Sequence, residues 1–532
     1  MKSQTLKSLT NAHAWIGLII SFVLFIVFIA GSISLFRENI ETWEKVTLIG
    51  EHSPHTSQVS YDTVLAKLDE KYEIDTHHLF YLYQPTERNP FLQVYFAIEL
   101  EEPHPVTGED HQDMYLLLDP VNGDIIADAN EFQFANFVYH LHYDLGAGRI
   151  GLYFVGIITL FFFVALISGV VIHWRKLFKN FYQYRLGANK DKWLDAHNLI
   201  GTMGLPFHIM YAFTGLVFNL VIIYQISYAV LLYQGDQSKV LQAAGFNEPH
   251  IEEVDIRMPM QGIDELYTKA MNELGDVTLR RMMIEHFGDQ SAVLVFMAKS
   301  NDEFSNDVEV RYAIKDQQQV YITRDNYDNN LRGGLATIAS LHFGDFAGYG
   351  MRVAFFILGL ATAYIIITGN LMWISKRAKQ KKQSKRSLAF VTRLTSGAFI
   401  GCMLAIALGA VAAKLIPLDV AGRMSTIHSI VYVSFFLSTL ISLFIKHQDL
   451  FCNYLLKFSG LAYAIAALLN IPNYIQFGGI LSGHVVADLV IVDIMLYTIA
   501  ALCWYSAQKF EKRAEQLQQE INTMGSETAL NS

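Results

Sequence analysis

Long apolar runs alternate with long polar stretches along this chain, and the run lengths decide most of the expected fold. Eight segments are apolar for about 20 residues, the length that crosses roughly 30 Å of hydrocarbon. They lie near 14–36, 150–173, 198–224, 351–374, 394–416, 425–446, 454–472 and 484–507. Each predicts a membrane-spanning helix, although Lys457 intrudes into the seventh. Two polar stretches, about 37–140 and 236–335, are long enough to be inserted domains. In the first, a short helix is expected over 61–72, and strands over 91–97, 114–118 and 125–126 from their alternation and β-forming residues. Between the last two strands, Asp119-Pro120-Val121-Asn122-Gly123-Asp124 is a hairpin signal. Proline presets the turn, and Asn-Gly tolerates positive φ. The second insert repeats the order, with a helix over 263–274 and strands over 292–297, 308–314 and 320–323. Each insert reads as a small α+β module of roughly 100 residues. The fold class is therefore a mostly α membrane protein with about eight transmembrane helices and two such modules.

The chain repeats itself. Asn11-Ala12-His13 opens one apolar run, and Asp195-Ala196-His197 opens another 184 residues later. At the same offset Gly17 matches Gly201 and Gly31 matches Gly215. At an offset of 200, Leu141-His142 matches Leu341-His342, Gly148 matches Gly348, and Gly169 matches Gly369. Residues 1–176 and 177–377 thus read as two helix–insert–helix units. A four-helix membrane domain over 390–510 and a tail over 511–532 follow. Paired repeats in membrane proteins place the working site between them.

Composition agrees with this division. The chain is 52% hydrophobic and 17% charged, with a mean hydropathy of +0.26. Such values suit a membrane protein with sizeable polar parts. The 174–193 loop carries Arg175, Lys176, Lys179, Arg185, Lys190 and Lys192, and the 375–393 loop is basic with no acid. Lys and Arg mark the cytoplasmic side. Both termini are then expected inside and both inserts outside. The net charge of −10 conceals a basic inner face and an acidic first insert. The first apolar run is too long, and lacks a cleavage site, for a signal peptide, so a retained anchor is expected. Cys402, Cys452 and Cys503 form no CxxC, which argues against a disulfide, zinc or iron–sulfur framework. No GxGxxG follows a strand, so no bound dinucleotide is expected, and no nucleic-acid partner either.

A small helix-and-strand module ending in a hydrophobic-Asp-Pro-x-x-Gly turn resembles a PepSY domain. Flanking helices bearing His-x-x-x-Gly and Leu-His…Gly complete a resemblance to the PepSY-associated transmembrane helix family, the iron-regulated membrane proteins that include ferric-siderophore reductases. It covers about residues 8–377. The second insert departs from it, with Lys315-Asp316-Gln317 where the Asp-Pro turn would stand. The resemblance implies a bacterial inner-membrane protein that holds b-type haem between its helices, two per chain.

The residues can be weighed beside that implication. Histidine inside a membrane span is a functional hypothesis by default, and haem iron takes axial histidines. His13, Gly17 and Gly31 fall within about 40° on one helix; His197, Gly201, Gly204, His208 and Gly215 fall within about 60° on another. Small residues at such spacing also serve plain helix packing. A symmetric arrangement pairs His13 with His197 and His142 with His342. An asymmetric one uses His173 or His208, whose counterparts are Trp373 and Leu24. His140 reads as an interfacial polar residue, and His447 as a solvated helix end. Asp488 and Asp493, with His428 and His484 nearby, are either a proton or quinone site or interhelical hydrogen bonds. Asn470, Pro472 and Asn473 read as a helix stop.

The leading expectation is a dihaem electron conduit. It would reduce a ferric-siderophore on the periplasmic side and release Fe(II), fed by an unidentified cytoplasmic or quinol donor. The alternatives are a non-enzymatic module that binds a peptide or protein partner, and a transporter. A visible spectrum separates the first from both.

Overall fold

The fold is that of a computed structural model, which describes residues 3–52, 59–100, 102, 110–176, 189–246, 248–249, 251–301, 307–324, 329–381 and 384–530. Lys179, Arg185 and Lys382 of the basic loops lie outside them. Eight helical segments among the described residues are long and apolar enough to cross a membrane, and they answer the eight apolar runs one for one. The protein is a multi-pass membrane protein.

The chain begins with α1 (Ser3–Ser34), which continues into α2 (Arg37–His52). A helix α3 (Tyr61–Lys71) follows, with strands β1 (Phe80–Tyr83), β2 (Leu92–Glu99), β3 (His111–Leu118) and β4 (Ile125–Asp128). The short α4 (Phe134–Tyr143) then leads into the spanning α5 (Gly148–His173). The second unit runs through α6 (Asn189–Met203), α7 (Leu205–Tyr233), α8 (Gln237–Ala243) and α9 (Ile263–Leu274). It continues with β5 (Val277–Glu285), β6 (Val293–Ser300), β7 (Asp307–Ala313) and β8 (Gln319–Thr323), then α10 (Asn330–Phe343) and α11 (Gly348–Ala378). The last helices are α12 (Lys385–Leu415), α13 (Arg423–Phe444), α14 (Gln448–Leu468), α15 (Ile471–Phe477) and α16 (Gly483–Leu530).

The two inserts do not form separate modules, as their sequences suggest. They merge into one antiparallel sheet of order β4-β3-β2-β1-β5-β6-β7-β8. The seam pairs Phe80 with Ile284, Tyr81 with Met283 and Leu82 with Met282. Neither seam strand stands out in the sequence: β1 is only four residues long, and two arginines interrupt β5. The pairing satisfies a backbone edge on each half that would otherwise stand open. One face of the sheet buries Phe80, Phe96, Phe287 and Phe296 against α3 and α9. These two helices cap each other. Asp62 accepts from the backbone amides of Ile263 (2.9 Å) and Asp264 (3.4 Å), while Asp264 accepts from those of Tyr61 (2.7 Å) and Asp62 (3.4 Å). The expected turn forms: the Asp119 carboxylate accepts from the amides of Val121 and Asn122, and Gly123 takes φ +73°.

Three further boundaries differ from expectation. The third span is divided in two: Gly204 leaves the helical region (φ −83°, ψ 3°), and Pro206, lacking an N–H, sits in the first turn of α7. The expected tail at 511–532 continues α16 as helix to Leu530. There Glu511 pairs with Lys457 at 2.9 Å, which accounts for a lysine in the seventh run. Finally, the C-terminal helices are not a separate domain, because α2 and α4 pack among them in one apolar core.

Candidate functional site

His13 and His197 meet at the end of the bundle away from the sheet, with ring centres 6.4 Å apart. His13 Nδ1 lies 3.1 Å from the Ala165 carbonyl and 2.9 Å from Ser168 Oγ. His197 Nδ1 lies 3.1 Å from the Ile365 carbonyl and 3.2 Å from Thr368 Oγ1. The partners are themselves related by the 200-residue offset. A carbonyl only accepts, so each Nδ1 carries the hydrogen and donates it. Each Nε2 keeps its lone pair, and no described residue hydrogen-bonds to it. Gly169 and Gly369 complete the likeness, since a Cβ on either would sit 3.5 Å from the ring of His13 or His197.

His142 and His342 meet at the sheet end, with ring centres 6.0 Å apart. His142 Nδ1 donates to the Val27 carbonyl at 2.8 Å. His342 Nδ1 lies 2.7 Å from Thr214 Oγ1, whose own hydrogen goes to the Met210 carbonyl. The Thr214 oxygen therefore accepts, and Nε2 is again the lone-pair nitrogen on both rings. Burial holds His142 below its usual pKa range; burial and then the neighbouring His142 push His342 down to about 3. Neutral imidazole is the form that binds metal. The pair lines a cavity of about 1370 Å³ between the helices and the sheet. Gly31, Phe207, Tyr211 and Phe218 form its floor, while Tyr83, Arg280 and Lys299 reach it from the sheet. A small-ligand pocket is typically about 300–1,000 Å³, so this one is large.

The spacing carries chemical meaning. A metal bonded to two opposed imidazoles at about 2 Å from each nitrogen holds their ring centres roughly 6 Å apart. Among the described residues, no cluster of three or more His, Cys, Asp or Glu could hold a bare metal ion. Two facing imidazoles suit a metal that brings its other donors with it. His142 contacts α1 at Val27, 14 residues from His13, so the pairs lie about 21 Å apart along the helix axis.

The glycines divide by role. A Cβ at Gly31 would come within 2.5 Å of His142 Nδ1. At Gly17 or Gly201 it would meet nothing within 4 Å, and at Gly215 it would meet Thr159 at 3.4 Å. The structure places His173 at the last residue of α5, one turn beyond Gly169. His208 belongs to neither pair: it is 1% exposed, lies beyond the Gly204 break from His197, and its Nε2 has no partner. His140 contacts Asp144 and Tyr143, and His484 pairs with Glu87.

These positions coincide with a known family. Its model, the PepSY-associated transmembrane region, matches residues 10–376. The chain belongs to this family. Both histidine pairs and all their Nδ1 partners lie inside the PepSY-associated region, and α12 to α16 lie beyond it. No curated protein matches the chain.

The helices beyond the PepSY-associated region hold the site from outside. Arg423 on α13 is 0% exposed and pairs at 2.8 Å with Glu44 on α2, which is 2% exposed. The same arginine donates to the carbonyls of Glu131, Ala413 and Ile416. Glu44 accepts in turn from the amide of Phe134, the first residue of the His142-bearing α4, at 3.1 Å. Asp488 accepts from Asn39 (2.6 Å) and Thr42 (3.2 Å), and Asp493 from Trp43 (3.0 Å) and Tyr474 (2.8 Å). Through Asn39, Thr42 and Trp43 the two carboxylates tie α16 to α2. Asn470 also donates to Asp493 at 3.2 Å, so it does more than end a helix. None of the Nδ1 partners was named from sequence, yet Ser168 and Thr368 carried a signal: each stands beside a matched glycine at the same offset.

Proposed function

We propose that the protein is a dihaem electron conduit of the membrane that reduces a ferric chelate on its sheet side. The observation behind this reading is the pair of facing histidine couples. Each has its Nδ1 nitrogens committed and its Nε2 nitrogens without a partner, and they lie about 21 Å apart along the roughly 30 Å bilayer. His13 with His197, and His142 with His342, would hold the two haem groups. Haem b supplies one-electron chemistry when bound there. Open ground at Gly17 and Gly201 fits a broad flat group, and the Nδ1 bonds fix each ring's orientation and raise its basicity as a ligand.

Direction follows from charge. The described basic residues Arg175, Lys176, Lys376 and Arg377 lie at the helix ends away from the sheet, which is then the cytoplasmic end of a bacterial inner-membrane protein. Electrons enter near His13 and His197 from a cytoplasmic or quinol donor. They leave near His142 and His342, where the large cavity admits a ferric-siderophore. Reduction to Fe(II) weakens the chelate and frees the metal. A transporter reading gains little from the broken third span, because its counterpart α1 is continuous.

Purified protein from haem-replete cells should show a Soret band that shifts on dithionite. Replacing His142 or His342 with Ala should remove one haem of two, and replacing His13 or His197 the other. A colourless wild-type protein, or full haem content in all four variants, would overturn the reading.

A further inference from the structure

Two hydrogen-bond donors stand together at the end of the bundle away from the sheet with no acceptor between them. The Trp373 indole is 5% exposed, and its Nε1–H meets no acceptor among the described residues. The Arg377 guanidinium lies 4.0 Å from the Trp373 ring centre and 4.7 Å from that of Trp15. Among the described residues no carboxylate pairs with it. Trp15 and Trp373 meet edge to face, with ring centres 5.5 Å apart.

Their position is specific. Gly369, Trp373 and Arg377 follow one another at four-residue steps on one face of α11, about 6 Å apart. A Cβ on Gly369 would lie 3.5 Å from the His197 ring, and Trp15 stands two residues after His13. The unmet donors therefore begin one turn from the His13–His197 pair. A guanidinium is a planar fork matched to a carboxylate, and a neighbouring indole N–H adds a further donor. The 375–393 segment, which begins beside this cluster, contains no acid that could neutralise it. In the first unit the sequence has His173 and Leu177 at the positions that answer Trp373 and Arg377.

We propose that Trp373 and Arg377 form a carboxylate site that receives a propionate of the porphyrin held between His13 and His197. The proposal rests on the haem reading above and adds an anchor that sets the group's orientation. It also places the Arg377 charge beside this haem, which would favour its reduced state.

The test uses the full-length protein in nanodiscs, stripped of haem and reloaded with haemin or with its dimethyl ester, which has no free carboxylate. Wild type should favour haemin over the ester at one of two sites by roughly ten- to a hundredfold, as a charge-assisted hydrogen bond would give. Trp373→Phe with Arg377→Gln should erase that preference there and leave the other site's Soret band intact. Arg377→Lys should retain part of it. In redox titrations Arg377→Gln should move one midpoint to more negative potential and leave the second unchanged. Unaltered preference in the double variant, with both midpoints unmoved, overturns the carboxylate site while the haem reading stands. An Arg377→Gln effect that disappears when anionic lipid is omitted assigns the anion to a headgroup and also overturns it. A wild type that binds neither haemin sinks the haem reading itself.

Discussion

Replacing Arg423 with Met tests whether the C-terminal helices hold the histidine site. Arg423 and Glu44 are both buried and 2.8 Å apart, and among the described residues Glu44 otherwise accepts only the Phe134 amide at 3.1 Å. Without the guanidinium the carboxylate stays buried with one neutral donor, and the Glu131, Ala413 and Ile416 carbonyls lose theirs. Removing one partner of a buried pair costs about 3–5 kcal/mol. Glu44→Leu combined with Arg423→Met removes the stranded charge. It should recover part of the loss, because apolar replacement of both partners is often close to neutral. The recovery stays incomplete, since an orphaned buried amide or carbonyl costs roughly 1–3 kcal/mol. Unfolding in mixed micelles, followed by circular dichroism, gives the double-mutant cycle, in which coupling of at least about 1 kcal/mol is expected. His142 lies two turns along α4 from Phe134, about 12 Å. The single variant should therefore also lose haem from the sheet-side pair before the other. Stability within about 0.5 kcal/mol of wild type, the range of ordinary surface changes, would refute the argument that this ion pair holds α2 and α4.

Other perturbations separate the parts of the site. Gly31→Ala places a Cβ 2.5 Å from His142 Nδ1, so the sheet-side haem should be lost or its Soret band shifted; an unchanged spectrum contradicts the packing at that ring. Gly17→Leu meets no protein atom within 4 Å of its Cβ, so thermal stability should hold while haem at the His13–His197 pair falls. Equal loss of both would mean that Gly17 serves helix packing. Asp62→Ala should expose the Ile263 and Asp264 amides, at about 1 kcal/mol or roughly fivefold faster hydrogen exchange. No change there would show that α3 does not cap α9. In reconstituted vesicles, reductant on the basic-loop side should reduce a ferric chelate confined to the sheet side; reduction only when both share a side defeats the conduit.

What the sequence determined by itself was whatever local pattern can carry. Run length placed all eight membrane helices, because hydrocarbon thickness acts on each segment separately. Residue type and alternation located six of the eight strands, and Asp119 to Asp124 declared its turn, because side-chain direction and φ preference are properties of neighbouring residues. Duplication singled out His13, His142, His197 and His342, since a repeated residue shows itself without any knowledge of contact. Tertiary structure alone decided which strands meet. The β1–β5 seam joins residues about 200 positions apart, and nothing local in Phe80–Tyr83 announces a partner. It decided that His208 stands outside both pairs, beyond the Gly204 break that ends the helix carrying His197. It also decided what each imidazole does with its Nδ1. Val27, Ala165, Thr214 and Ile365 take that role through a carbonyl or hydroxyl that many residues could supply, so the choice leaves no mark in their identities. The Glu44–Arg423 pair is the extreme case. An acid and a base 379 residues apart read as surface charge until packing removes the water from both.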